Sequence, residues 1–216
     1  MPTEQDIIHV LDLLGTASFA FSGALRGLNR RPDVVGMTIL AGATALGGGI
    51  IRDVLMGRTI LMLRDMNYLL VIVASAVLTA LFPQRLYRKE RFFLYFDAVG
   101  LGVFSAIGAG VAYSQGMNIV SVVFVACITG AGGGVIRDVL LGEMPLVLYR
   151  EVYVLAVAVG SGVMLLVRAL GAAELAGFLT AMGVTTVIRI LAIRYNWSLP
   201  RIGVSLPSRG DSDKSP

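Results

Sequence analysis

Charge is what this sequence has least of. Only 15% of its 216 residues are Asp, Glu, Lys or Arg, against about 25% in a soluble domain. The deficit runs the length of the chain, so it excludes a soluble protein with a single anchor. There is one cysteine, Cys127. No intramolecular disulfide is therefore available, and the residue reads as a small buried hydrophobe. There is one histidine, His9, near the N-terminus. One histidine and one cysteine fall short of a zinc centre's usual ligand set, and a Ser/His/Asp triad has no credible histidine. The first six residues hold two acids, Glu4 and Asp6, and no Lys or Arg, the reverse of a secretory signal's n-region. No Gly-Lys-Ser/Thr phosphate loop occurs. The near match to a dinucleotide fingerprint, Gly130-Ala131-Gly132-Gly133-Gly134-Val135, ends in valine where glycine is required. Nothing points to an enzyme, a bound cofactor, a metal or a nucleic-acid partner.

Apolar residues take the place of charge: 56% of the chain is hydrophobic and the mean hydropathy is +0.80. A bilayer core of ~30 Å needs roughly 20 apolar residues. Seven stretches meet or approach this, at 11–28, 34–51, 68–82, 93–112, 119–136, 153–168 and 172–194. The predicted fold class is an all-α membrane protein with seven transmembrane helices. Its predicted layout is an N-terminal segment (1–10), a first three-helix unit (11–83), a basic loop (84–92), a second three-helix unit (93–168), a seventh helix (169–194) and a disordered polar tail (195–216). With the N-terminus outside, inward segments carry fourteen of the Lys and Arg residues and outward segments four, Arg52, Arg58, Arg64 and Arg168. The positive-inside rule then places the C-terminus in the cytoplasm of a plasma or inner membrane. Phe92, Phe93, Tyr95 and Phe96, and Tyr195 with Trp197, suit an interfacial aromatic belt.

A shift of 85 residues lays the sequence on itself. Asp12 meets Asp97, Gly15 meets Gly100, Phe19 meets Phe104, Thr44 meets Thr129 and Tyr68 meets Tyr153. Residues 47–57 meet 132–142 with nine identities in eleven positions. Three spans per copy is an odd number, so the copies should enter the membrane from opposite sides. Inverted repeats recur in proteins that transport at the bilayer midplane.

Each copy carries Gly-Gly-Gly followed, two residues on, by Arg-Asp. Gly47, Gly48 and Gly49, and Gly132, Gly133 and Gly134, each cost ~1 kcal/mol relative to alanine inside a helix. The runs predict a local break or kink, tolerated in lipid only where the backbone faces protein or water. A plainer account is that small residues let helices pack closely. Arg52, Asp53, Arg137 and Asp138 fall in or near the hydrocarbon region, where ionisable groups face a wet path or each other. We expect Asp12 to pair near Arg52 and Asp97 near Arg137, as two polar collars around a narrow middle. The two aspartates also suit helix N-termini. Ser18, Ser22, Thr44 and Thr129 are candidate lining groups, although such hydroxyls also bond their own helix.

The doubled motif in a three-plus-three-plus-one helix chain of this size resembles the prokaryotic trimeric intracellular cation channels, a family also described as glycine transporter. The resemblance covers about residues 11–194. It implies a homotrimer in membrane lipid, with one hourglass pore per subunit among the first, second, fourth and fifth spans. That pore would pass monovalent cations, chiefly K+ with some Na+, which can occupy it. It further implies that Gly47–Gly49 and Gly132–Gly134 are hinges at the pore centre. Arg52 and Arg137, balanced by the nearby aspartates, would be gate elements. Arg-Asp-Val stands where animal members have Lys-Glu-Val, so the resemblance does not by itself imply phosphoinositide regulation of this chain. Inverted repeats suit a transporter of a small zwitterion such as glycine equally well.

Overall fold

The first helix begins earlier than hydropathy alone suggests. In the computed structural model, which describes residues 3–60, 64–83, 92–149 and 152–197, α1 spans Glu4–Gly27. Thr3 and Asp6 form a capping box: Thr3 Oγ1 accepts from the Asp6 amide at 3.2 Å and Asp6 Oδ2 accepts from the Thr3 amide at 2.8 Å. That reciprocal pair satisfies two otherwise orphaned donors, so most of the expected N-terminal segment is helix. Of the expected basic loop, Arg85, Arg88, Lys89 and Arg91 lie outside the described residues. So does the tail from residue 198.

A 3-10 turn, Leu28–Arg30, and Arg31 at φ 51° reverse the chain into α2, Val34–Leu55. Then come α3 (Met66–Leu81), α4 (Phe92–Ser114) and α5 (Ile119–Leu140). A single turn, Leu146–Tyr149, leads to α6 (Val152–Ala169) and α7 (Glu174–Tyr195). All but α3 are long and apolar enough to cross a bilayer; α3 is an apolar helix of 16 residues. The chain is an all-helical membrane protein.

Helices α2 and α5 coincide end for end under the 85-residue shift, and polar caps fix both starts. Asp33 accepts from the Gly36 amide at 2.7 Å, and Asn118 accepts from the Ser121 amide at 2.9 Å. Losing such a cap costs about 1 kcal/mol. Asp33→Ala and Asn118→Ala should each lower the unfolding free energy by about that much. They share no partner, so the double variant should lose the sum. Urea titration of helical signal in mixed micelles measures this.

The bundle centre is built from residues meeting their own repeat counterparts. Phe19 of α1 stacks on Phe104 of α4, with centroids 5.3 Å apart and ring planes 5° from parallel. Glycines make room for both rings. A Cβ on Gly100 would collide with the Phe19 ring, and one on Gly15 would stand 2.6 Å from Val103 and 3.4 Å from Phe104. Away from the centre the bundle has two polar ends. At one, the Leu175 amide of α7 donates to Glu4 of α1 at 3.2 Å. At the other, Arg26 at the end of α1 donates through Nε to Glu143 at 2.9 Å, and Arg30 donates to the Leu141 carbonyl at 2.8 Å.

Candidate functional site

The two triple-glycine runs face each other where α2 crosses α5. A Cβ on Gly48 would overlap the Thr129 carbonyl oxygen, and one on Gly133 would overlap the Thr44 carbonyl oxygen. A Cβ on Gly132 would stand 3.0 Å from the Gly48 Cα; one on Gly47 would meet Ile136 at 2.5 Å. The two backbones are thus in direct contact, with no space for water between them at this level. The expected helix break is absent: α2 and α5 run without interruption through Gly47–Gly49 and Gly132–Gly134. Where water is scarce a helix keeps its hydrogen bonds, and the missing side chains serve close approach. Neighbouring glycines extend the same packing within each repeat. A Cβ on Gly23 would stand 2.5 Å from Thr44 Oγ1, and one on Gly108 would stand 2.5 Å from Thr129 Oγ1.

Past the crossing, the last turns of α2 and α5 carry the Arg-Asp pairs inside the helix. Both arginines donate through Nε to the next residue at 2.8 Å, Arg52 to Asp53 and Arg137 to Asp138. Arg137 is completely buried. Its Nη1 also donates to Asp97 of α4 at 2.7 Å and to Ser22 of α1 at 2.8 Å. Asp138 Oδ2 accepts from the Leu146 amide at 2.9 Å, which ties in the chain after α5. The Phe93 ring lies beneath two guanidiniums, Arg26 at 4.7 Å and Arg137 at 5.5 Å, a cation–π arrangement. The expected Asp97–Arg137 pair is present, and the site here is closed by side chains from α1, α4 and α5.

The corresponding end of repeat one is arranged differently. No ion pair within 4.0 Å joins Asp12 to Arg52. Asp12 Oδ2 instead accepts from the Tyr68 hydroxyl of α3 at 2.6 Å, and Arg52 is held by its own neighbour Asp53. Asp12 Oδ1 and Arg52 Nη1 are buried without a hydrogen-bond partner among the described residues. Nor are the aspartates helix caps: Asp12 lies well inside α1 and Asp97 inside α4. One residue difference accompanies this asymmetry. Ser22 has no counterpart, because Ile107 stands 85 residues on, and a hydrocarbon cannot accept from Arg52.

Of the other candidate lining groups, Ser18, Thr44 and Thr129 spend their hydroxyls on their own helices. They donate to the carbonyls of Leu14 (2.9 Å), Leu40 (2.7 Å) and Val125 (2.7 Å). Ser22 alone among the four reaches an ionised side chain. Residue patterns did not single out Tyr68 as Asp12's partner, nor Phe93 and Glu143 as members of the other end. The repeat offered one signal, since Tyr68 and Tyr153 coincide under the shift. Tyr153 is buried beside Asp97 and Arg137: its hydroxyl and Asp97 Oδ1 come within 3.4 and 3.6 Å of where a Cβ on Gly134 would stand. The first end thus sets Arg52 among two aspartates, Asp12 and Asp53, whereas at the second Arg137 with Asp97 and Asp138 has two further arginines close by, Arg26 over the same Phe93 ring and buried Arg189 over the Tyr153 ring at 4.5 Å.

The family model described as glycine transporter matches residues 9–84 and 94–169. The inner membrane protein YadS of Escherichia coli (strain K12) is 36% identical over 90% of this chain and 95% of its own. Among solved structures, a prokaryotic TRIC channel crystallised in 0.5 M KCl superposes with a TM-score of 0.84. It is 36% identical, over 89% of this chain and 98% of that one. The TRIC trimeric intracellular cation channel orthologue from Rhodobacter sphaeroides superposes with a TM-score of 0.82 at 31% identity, over 88% and 99%. With the family model matching both repeats and the channel fold matching nearly end to end, the chain belongs to the glycine transporter family, which is also that of the prokaryotic trimeric intracellular cation channels.

Proposed function

We propose that this protein is a channel for monovalent cations, K+ foremost and Na+ as well, with its path between α1, α2, α4 and α5. One observation carries the reading: two clusters of arginine and aspartate, Arg52 with Asp53 near Asp12 and Arg137 with Asp97 and Asp138, flank a crossing where glycines bring two helix backbones into contact. A lone arginine beside a cation path would repel the ion. Asp53 against Arg52, with Asp12 nearby, and Asp97 and Asp138 against Arg137 offset that repulsion and offer carboxylates to a passing cation. Arg52 and Arg137 are then gate elements. The glycines at 47–49 and 132–134 are hinges, because backbones in contact must part before water and ions enter.

The reading includes seven spans, with α3 the shortest, and two repeats inverted about an axis in the membrane plane. Reciprocal glycine contacts and the Phe19–Phe104 stack support that axis. It also includes a homotrimer in membrane lipid, with the N-terminus outside and the C-terminus in the cytoplasm. No catalytic step and no resident cofactor belong to it.

Planar-bilayer recording of the purified protein in asymmetric KCl tests the proposal. Unitary currents reversing near the K+ equilibrium potential are expected. Arg52→Ala and Arg137→Ala should each change open probability or unitary conductance several-fold; unchanged currents in both would refute the gate. Saturable, gradient-coupled uptake of labelled glycine into liposomes, without unitary currents, would replace the channel by a transporter.

A further inference from the structure

A second concavity lies apart from the crossing, at the end of the bundle where α1 and α7 begin and α4 and α6 finish. It encloses about 180 Å³. Its depth is apolar, reaching Ala106 and Ile107 of α4, Met164 of α6 and Phe178 of α7. Ala106 lies eight residues inside the end of α4, so the cavity descends roughly 12 Å from the helix ends. An apolar cavity of about 150 Å³ stays dry and takes up an apolar guest. Its rim is charged. Arg168 and Glu174 line it, and no ion pair within 4.0 Å joins them among the described residues. Arg168 lies over the Tyr113 ring at 5.5 Å and donates through Nη1 to the Ala172 carbonyl at 2.8 Å. Its remaining guanidinium nitrogens have no hydrogen-bond partner among the described residues.

We propose that this cavity holds one acyl chain of a zwitterionic phospholipid of the phosphatidylethanolamine type. The lipid phosphate sits against Arg168 and the ammonium against Glu174. Three observations select this occupant. The rim lies at the ends of membrane-crossing helices, which is headgroup level, and the depth lies at acyl level. The rim offers one cation and one separate carboxylate, matching a head with one charge of each sign. An anionic head without an amine would leave Glu174 facing like charge. The site does not depend on whether the protein conducts ions.

Gly110 provides a clean test. It lines the cavity, and a Cβ there would meet nothing within 4 Å, so a larger side chain starts from open space and takes up cavity volume. Delipidated full-length protein in detergent should melt several degrees higher with dioleoyl phosphatidylethanolamine than with dioleoyl phosphatidylglycerol. Gly110→Leu should lose most of the shift, and Arg168→Gln should no longer distinguish the two lipids. A phosphatidylethanolamine bearing a diazirine on its acyl chain should label the wild-type protein on peptides of α4, α6 or α7 within the cavity. That second measurement stands even if a variant fails to fold. Equal shifts from both lipids in the wild type, an undiminished shift in Gly110→Leu, or labelling spread evenly over the outer helix faces would each overturn the proposal.

Discussion

Gly48→Ala and Gly133→Ala should each destabilise the protein by about 3 kcal/mol, the upper end of what overpacking usually costs. The reason is the identity of the obstacle. The added methyl meets the Thr129 or Thr44 carbonyl oxygen. A side chain could rotate away, but a backbone carbonyl moves only with its helix. Against a total stability of roughly 5–15 kcal/mol, either change removes a large share. Gly183→Ala is the control: it lies within α7, and a Cβ there meets nothing within 4 Å. It should gain up to ~1 kcal/mol from helix propensity alone. Monodispersity after detergent extraction, followed by thermal unfolding, reads the contrast. Should Gly48→Ala survive as well as Gly183→Ala, the backbone contact is not the resting packing of α2 on α5.

The second large effect is expected at Arg137. Removing one member of a buried ionic group costs about 3–5 kcal/mol, because its partners stay buried without compensation. Arg137→Met strands two carboxylates, Asp97 and Asp138, and leaves Ser22 without its donor. Changing Asp97→Leu in the same chain should recover part of the loss, since apolar replacement of a whole buried pair is often neutral. Recovery should be incomplete, because Asp138 remains and its other oxygen still holds the Leu146 amide. Arg52→Met should cost less: Arg52 retains some exposure, 7% against 0% for Arg137, and has one carboxylate partner rather than two. Equal losses at the two positions would contradict the asymmetry between the ends. A double-mutant cycle on Arg137 and Asp97, read by chemical unfolding, gives the coupling directly.

Much of this was legible in the residues. The start of α2 at Val34 and that of α5 at Ile119 follow from a polar cap before an apolar run. The pairing of Asp97 with Arg137 follows from their shared end of the bundle. Other features were hidden for identifiable reasons. The start of α1 lies outside the apolar run, where capping rather than burial decides. Helix propensity predicts a break at three glycines, yet packing of two backbones outweighs about 1 kcal/mol per residue. Asp12 had two possible donors in reach of its end, Arg52 and Tyr68, and spacing along the chain does not rank them. Ser22 and Arg137 lie 115 residues apart in different repeats, so no pattern within one repeat could link them.

The Phe19–Phe104 stack sets a rule for how such a chain can change. Where one side chain faces its own repeat counterpart, a change of size in one half must be answered by a matching change in the other. Drift there is coupled between the halves. Farther out, each position faces unrelated neighbours and can vary singly, as a serine at 22 opposite an isoleucine at 107 illustrates. A repeated chain built this way is held alike at its middle and is free to specialise at its two polar ends, so one end can acquire a response that the other lacks.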